Sequence, residues 1–248
     1  MKIIIIGYGK MGKEVDKISA LRGHEVIMKF TSADQHMLTV ENLKKGDIVI
    51  EFTQPSSAVS NIKLCFDAGI PVVSGTTGWE SSLSEMKEYS IKSNGALLHA
   101  SNFSIGVNIL FAMNEQLSMI MNNQPDYNVS IEETHHTQKL DEPSGTAITL
   151  ANGIIGNLEK KNSWKLKSES FSDDEKNSDA IKITSFRRGE VIGTHSVTYE
   201  SDIDFIQLSH YAKNRSGFAK GAVIAAEWLK DRSGVFTMKD LLNSFNKK

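Results

Sequence analysis

A single cysteine, Cys65, among 248 residues leaves no partner for an intramolecular disulfide and no thiolate cluster for a metal. Basic and acidic side chains nearly cancel, 28 Lys and Arg against 30 Asp and Glu. No global positive field therefore marks the chain as a binder of nucleic acid or of an anionic membrane. Long hydrophobic runs are missing too: the opening Ile3-Ile4-Ile5-Ile6 is far too short for a signal h-region or a membrane span. Prolines number only four, and two of them, Pro55 and Pro143, stand beside candidate sites. There is no internal repeat and no low-complexity tract. What is present, 40% hydrophobic and 23% charged residues, suits a folded protein of one or two domains, expected in the cytoplasm.

The first half alternates between two periodicities. Short apolar runs at residues 3–6, 26–28, 47–52, 71–74 and 96–99 read as strands buried on both faces. Helical patterns fill 10–21, 57–68 and 80–93, and Gly23 and Gly69 close the first two. Such alternation predicts a parallel sheet with helices on both faces, with Cys65 as buried filler. In the second half, 105–121 reads as a long amphipathic helix with Met113, Met119 and Met121 on its core side. A strand follows at 128–134 and a helix at 143–156. Residues 163–179 are polar and read as an exposed irregular stretch. Strands at 180–187, 190–199 and 203–211, joined by turns at Arg188-Gly189 and Ser201-Asp202, predict an antiparallel sheet. A last helix spans 217–230.

Gly7-Tyr8-Gly9-Lys10-Met11-Gly12 follows the first strand and opens the first helix. The first glycine of such a loop turns the chain, the second lets backbone approach a pyrophosphate, and the third lets helix pack on strand. The helix start then presents N–H groups and a positive dipole end to the phosphates. The acidic residue expected about 20 positions on is missing, since Met28-Lys29-Phe30-Thr31-Ser32 holds no carboxylate. With Lys29, Thr31 and Ser32 at hand, this points to NADPH or to use of either cofactor. Gly75-Thr76-Thr77-Gly78 and Phe52-Thr53-Gln54-Pro55 follow strands and fall on the same ligand-binding edge.

Chemistry-bearing residues are densest between Glu133 and Ala147. His135 or His136 can exchange a proton near neutrality, and Lys139 adds a full positive charge. Ser144, Gly145 and Thr146 open a helix, an arrangement suited to a carboxylate or phosphate. Arg215, ahead of the last helix, can take a second carboxylate. Arg187-Arg188 reads as a solvated hairpin tip. A zinc site from His135, His136, His195 and His210 lacks ligand spacing, so no metal is expected.

These segments together resemble the 4-hydroxy-tetrahydrodipicolinate (dihydrodipicolinate) reductase family, end to end. Residues 133–147 match its E-x-H-H-x-x-K-x-D-x-P-S-G-T-A signature, and 75–78 its G-T-T-G. Asn102-Phe103-Ser104-Ile105-Gly106-Val107-Asn108 matches its hinge segment, Arg188-Gly189 with Gly193-Thr194-His195 its R-x-G…G-x-H, and 210–222 its H-x-A-x-x-R-x-x-F-A-x-G-A. Two departures stand out: family members often carry G-x-x-G-x-M-G and an acid after the second strand, where this chain has Lys29.

The resemblance implies an α/β fold: a Rossmann-like parallel-sheet domain, 1–105 and 214–248, plus an inserted α+β domain, 106–213, with a mainly antiparallel sheet. The inserted domain would bind substrate and build a homotetramer. It implies NADPH- or NADH-dependent reduction of a cyclic diacid in lysine and diaminopimelate synthesis, with His135 and Lys139 catalytic. Gly7 to Gly12, Lys29, Phe52, Gly75, Thr76, Thr77, Ala100, Ser101, Asn102 and Phe103 would contact cofactor. Thr77, His136, Lys139, Ser144, Gly145, Thr146 and Arg215 would contact substrate. Competing readings are a related amino-acid or sugar-type oxidoreductase and a non-catalytic nicotinamide sensor; the diacid-suited cluster at 133–147 argues against the first, and the near-neutral charge with no basic helix or extra domain against the second.

Overall fold

The computed structural model describes residues 1–167 and 178–245. The chain divides into two compact units, Met1–Asn108 with Ser216–Lys248, and Ile109–Arg215.

The first unit holds β1 (Lys2–Ile6), α1 (Lys10–Leu21), β2 (Glu25–Phe30), α2 (Val40–Leu43), β3 (Ile48–Glu51), α3 (Pro55–Asp67), β4 (Val72–Ser74), α4 (Leu83–Ser93) and β5 (Ala96–His99). Its strands form one parallel sheet in the order β11-β5-β4-β3-β1-β2, where β11 is Gly234–Phe236 near the end of the chain. The apolar runs are continuous because both faces are covered. Ile3, Ile5, Ile48, Ile50, Val73 and Leu98 pack with Val15 of α1 and with Ala222, Val223 and Ala226 of the last long helix. Ile4, Val49, Val72 and Leu97 pack on the other side with Ala58, Ile62, Cys65 and Phe66 of α3. Cys65 is wholly buried, and burial pushes its thiol far above the ordinary range. Periodicity does not expose α2, β11 or the terminal helix at Met238–Phe245, which are short and carry few buried side chains.

The long helix α5 (Ile105–Met121) leads into the second unit, with β6 (Asn128–His135), α6 (Gly145–Ile155), β7 (Ser163–Leu166), β8 (Ala180–Arg187), β9 (Thr194–Glu200) and β10 (Phe205–Tyr211). The sheet order is β10-β9-β6-β8-β7, antiparallel across β10–β9–β6 and parallel across β6–β8–β7. Val129, Ile131, Ile183 and Val197 meet Ala147, Leu150, Ala151 and Ile154 of α6 in its core. The chain returns to the first unit through α7 (Ser216–Leu229), β11 and α8 (Met238–Phe245).

Three expectations are corrected. β8 and β9 are not a hairpin, because β6 lies between them. Two inter-strand spacings come to about 10 Å, which the link through 188–193 spans easily. Residues 163–166 are strand β7, paired with β8, rather than irregular chain, while 168–177 lie outside the described residues. On α5 the inward stripe is Leu110, Asn114, Ser118 and Met121, at helical spacing, so Met113 and Met119 are half exposed, at 51% and 48%. Asn114 fits inside because its amide donates to the Leu150 carbonyl at 3.0 Å.

Candidate active site

In the first unit the expected cofactor residues gather at the carboxyl ends of β1, β3, β4 and β5. Gly7 (φ +93°) lies so close to β3 that a Cβ would stand 2.0 Å from the Phe52 carbonyl oxygen, and one on Gly12 2.5 Å from that of Gly7. Gly75 is pressed against the Phe52 ring, which meets Phe103 edge-on at 5.9 Å. Gly9, by contrast, heads α1 with no side-chain cap, and a Cβ there would meet nothing within 4 Å. Among the described residues no atom accounts for that glycine, and a cradle over a helix start fits a pyrophosphate. Beneath this edge lies Glu51, fully buried, accepting from Ser74 Oγ (2.6 Å), Thr76 Oγ1 (2.8 Å) and the Thr53 amide (3.0 Å). The Thr76 hydroxyl is thus turned inward, and Thr77 is exposed.

Other expected residues are engaged locally. Lys29 Nζ lies 2.7 Å from Asp16 and 5.0 Å from the Tyr8 ring centre, and the Tyr8 hydroxyl donates to the same carboxylate at 2.6 Å. Phe103 has its side chain in the core, Met11 packs on that core, and Lys10 and Ser101 are exposed. The backbone of Ala100 donates to Ser74 (3.2 Å), and the Asn102 side chain accepts from the Ser104 amide (2.9 Å).

In the second unit β6 builds the site by strand alternation. Val129 and Ile131 begin a buried face that Glu133 and His135 continue. In register, Glu133 faces Ser185 of β8 and His195 of β9, and His135 faces Arg187. Glu133 Oε2 lies 2.9 Å from His135 Nδ1 and 3.8 Å from His195 Nε2. Its Oε1 accepts from Ser185 Oγ (2.8 Å), the Ser144 amide (3.1 Å) and the Arg187 guanidinium (3.3 Å). Burial alone would raise this carboxyl, but hydrogen bonds from His135, Ser144 and Ser185 outweigh it and hold the group well below the carboxylate range. His195 is pushed down to about 4, by burial first and then by the His135 charge. Its Nε2 lies 3.0 Å from Ser144 Oγ, the hydroxyl that caps α6 by accepting from the Ala147 amide. Ser144 is therefore the cap, and the helix proper begins at Gly145, where a Cβ would meet nothing within 4 Å. Gly193 allows the close approach to this cluster, since a Cβ there would stand 3.0 Å from His135 Nε2.

Lys139 Nζ contacts both oxygens of Asp141 at 2.6 Å, and Arg215 Nη2 approaches His136 Nε2 at 3.5 Å. Arg187 is not the solvated tip expected: it donates to Glu133 and to the carbonyls of Lys139 (3.3 Å) and Asp141 (2.7 Å), fastening that loop. Arg188 instead stacks over Phe186. Among the described residues, ligand atoms of Glu133, His135 and His195 fall within 4.8 Å of one another. Arg187 lies 3.3 Å from the same carboxylate. Sequence reasoning assigned no role to Glu51, Glu133, Arg187 or Gly193. For Glu133 the signal was available, because E-x-H on a strand puts both side chains on one face.

A parallel sheet running through a three-glycine loop into a helix, joined to a unit with a carboxylate–histidine cluster, defines the class of nicotinamide-dependent enzymes on a Rossmann-type domain. Two family models match: dihydrodipicolinate reductase, N-terminus, over residues 1–103, and dihydrodipicolinate reductase, C-terminus, over 106–242. A 4-hydroxy-tetrahydrodipicolinate reductase of Christiangramia forsetii is 47% identical over 248 residues, covering 100% of both chains. One from Alkaliphilus oremlandii is 36% identical, covering 98% of this chain and 99% of its own. Among solved structures, a dipicolinate-bound dihydrodipicolinate reductase from Paenisporosarcina sp. shares the fold, with a TM-score of 0.76 at 24% identity, covering 96% of this chain and 97% of the other. The chain belongs to the dihydrodipicolinate reductase family and is an NAD(P)H-dependent oxidoreductase.

Proposed function

We propose that the protein reduces 4-hydroxy-tetrahydrodipicolinate to tetrahydrodipicolinate in lysine and diaminopimelate synthesis, with His135 and Lys139 assisting. What supports this reading is that β6 ends in His135, that α6 opens at Gly145 with space around it, and that the loop joining the two carries Lys139. A cyclic diacid needs cations and helix-start dipoles for its carboxylates and a proton source for its ring. Gly7 to Gly12, Lys29, Phe52, Gly75 to Thr77 and Ala100 to Phe103 would hold the cofactor. Reduced nicotinamide, when bound, supplies the hydride. One proton is taken up, and the substrate hydroxyl leaves as water.

The protein's own residues handle the rest. Lys139, Arg215, His136 and the Ser144–Thr146 helix start would anchor the two carboxylates. His135 would exchange a proton with the ring system and Lys139 would serve as the second donor as charge builds. A homotetramer belongs with this reading. Its support is β10, an edge strand that exposes Phe205, Ile206 and Tyr211, the kind of apolar edge proteins normally cover. A cytoplasmic setting belongs with it too, and no helix among the described residues is long and apolar enough to cross a membrane.

The test is direct. Purified protein is mixed with NADPH or NADH and the condensation product of pyruvate and aspartate semialdehyde, and loss of reduced nicotinamide is followed. No oxidation with either cofactor sinks the reading, and comparing the two settles cofactor preference. His135→Ala should lower kcat by about 10²–10⁴-fold, with a smaller change in KM.

A further inference from the structure

We propose that Glu133 is the positioning residue of this site: one carboxylate fixes the His135 ring through Oε2 and the start of α6 through Oε1. The inference rests on the reading of His135 as the proton-exchanging group and adds how that group is aimed.

The geometry is specific to a charged, two-sided acceptor. Oε2 faces His135 Nδ1 at 2.9 Å, while Oε1 gathers the Ser144 amide, the Ser185 hydroxyl and Arg187. The two atoms lie at ion-pair distance without a fully aligned hydrogen bond, and among the described residues neither has another hydrogen-bond partner. Because a carboxylate is acceptor-only, it favours an N–H on Nδ1, the nitrogen that faces it. The other nitrogen, Nε2, is then the one left to exchange a proton. The carboxylate is fully buried and held ionised by its donors, so it cannot turn away into water. Each neighbour is also placed by backbone: Glu133 and His135 alternate on β6, Ser185 and Arg187 come in register from β8, and Ser144 arrives through the cap of α6. A rotation of the Glu133 side chain would disturb the proton-exchanging ring and the diacid-binding helix start together. Neighbouring His195 cannot take this role, since its Nε2 lies nearer Ser144 Oγ, at 3.0 Å, than the carboxylate.

The experiment compares wild type with Glu133→Gln and Glu133→Asp, using histidine labelled with nitrogen-15 and long-range proton–nitrogen spectra of the His135 ring. Wild-type His135, when neutral, should carry its proton on Nδ1. In Glu133→Gln that preference should be lost, with kcat down on the order of 10²-fold and NADH binding, read by fluorescence, unchanged. Glu133→Asp keeps the charge on a shorter arm and should recover part of both the tautomer preference and kcat. Wild-type His135 protonated on Nε2 would overturn the proposal without any variant. So would Glu133→Gln with unaltered tautomer and turnover. The two readings fail separately: full turnover in His135→Ala refutes His135 as the proton-exchanging group, whereas the tautomer measurement needs no substrate.

Discussion

His195 shows how one side chain can carry a pH dependence for the whole fold. Its imidazole is held near pKa 4 against an ordinary 6.5, because burial and the His135 charge disfavour the protonated form. Between those values the unfolded chain binds the proton and the native chain does not, so stability falls as pH drops from 6.5 toward 4. The loss at pH 4 is about 3 kcal/mol. Glu133 acts in the same direction at lower pH, since its depressed carboxyl contributes stability above the ordinary carboxylate range and loses it on acidification. Urea titrations from pH 7 to pH 4 should show the decline, and His195→Gln should lessen it above pH 4, leaving the part that His99 and His210, also lowered by burial, contribute. An unchanged slope in that variant would refute the assignment. At the same scale, Lys139→Ala should lose both kcat and diacid affinity in steady-state kinetics, whereas Arg188→Ala, at a residue whose guanidinium stacks on Phe186, should stay near wild type.

Among elements, the glycine loop separates two jobs that one motif carries. Gly12→Ala puts a Cβ 2.5 Å from the Gly7 carbonyl and should cost about 1–3 kcal/mol of stability. Gly9→Ala meets open space, so thermal denaturation should be nearly unaltered while the nicotinamide Kd rises on the order of tenfold, about 1.4 kcal/mol. The parallel sheet and its glycine loop were legible because buried β-branched runs and G-x-G-x-x-G are local signals. The cluster at 133–147 was legible for the same reason. What stayed hidden is non-local. Nothing near Arg188-Gly189 says that β6 will slide between β8 and β9, and that insertion is what turns Arg187 from a solvated tip into a clasp on Glu133. The inward turn of the Thr76 hydroxyl likewise depends on Glu51, 25 residues away in sequence.

The whole molecule carries a net charge of only −2, so the anionic ligands proposed for its two units must be bound by local devices. Each unit has its own core, and under the proposed assignment each has its own ligand, so ligands should protect them separately. In hydrogen exchange, NADH alone should slow the amides of residues 7–12 and 75–77, and a diacid such as dipicolinate alone those of 135–147. Protection by the diacid confined to the first unit would contradict the assignment of substrate residues. The return of the chain through α7 has a consequence during synthesis. Residues 109–215 are contiguous and can collapse as soon as they leave the ribosome. The first unit cannot, because Ala219, Ala222, Val223, Ala225, Ala226 and Leu229 supply much of one side of its sheet and are translated after everything else in that core except β11 and α8. The half made first is therefore finished last, and until α7 emerges the nascent β1–β5 sheet has an apolar face covered only in part, by α1, for chaperones to shield.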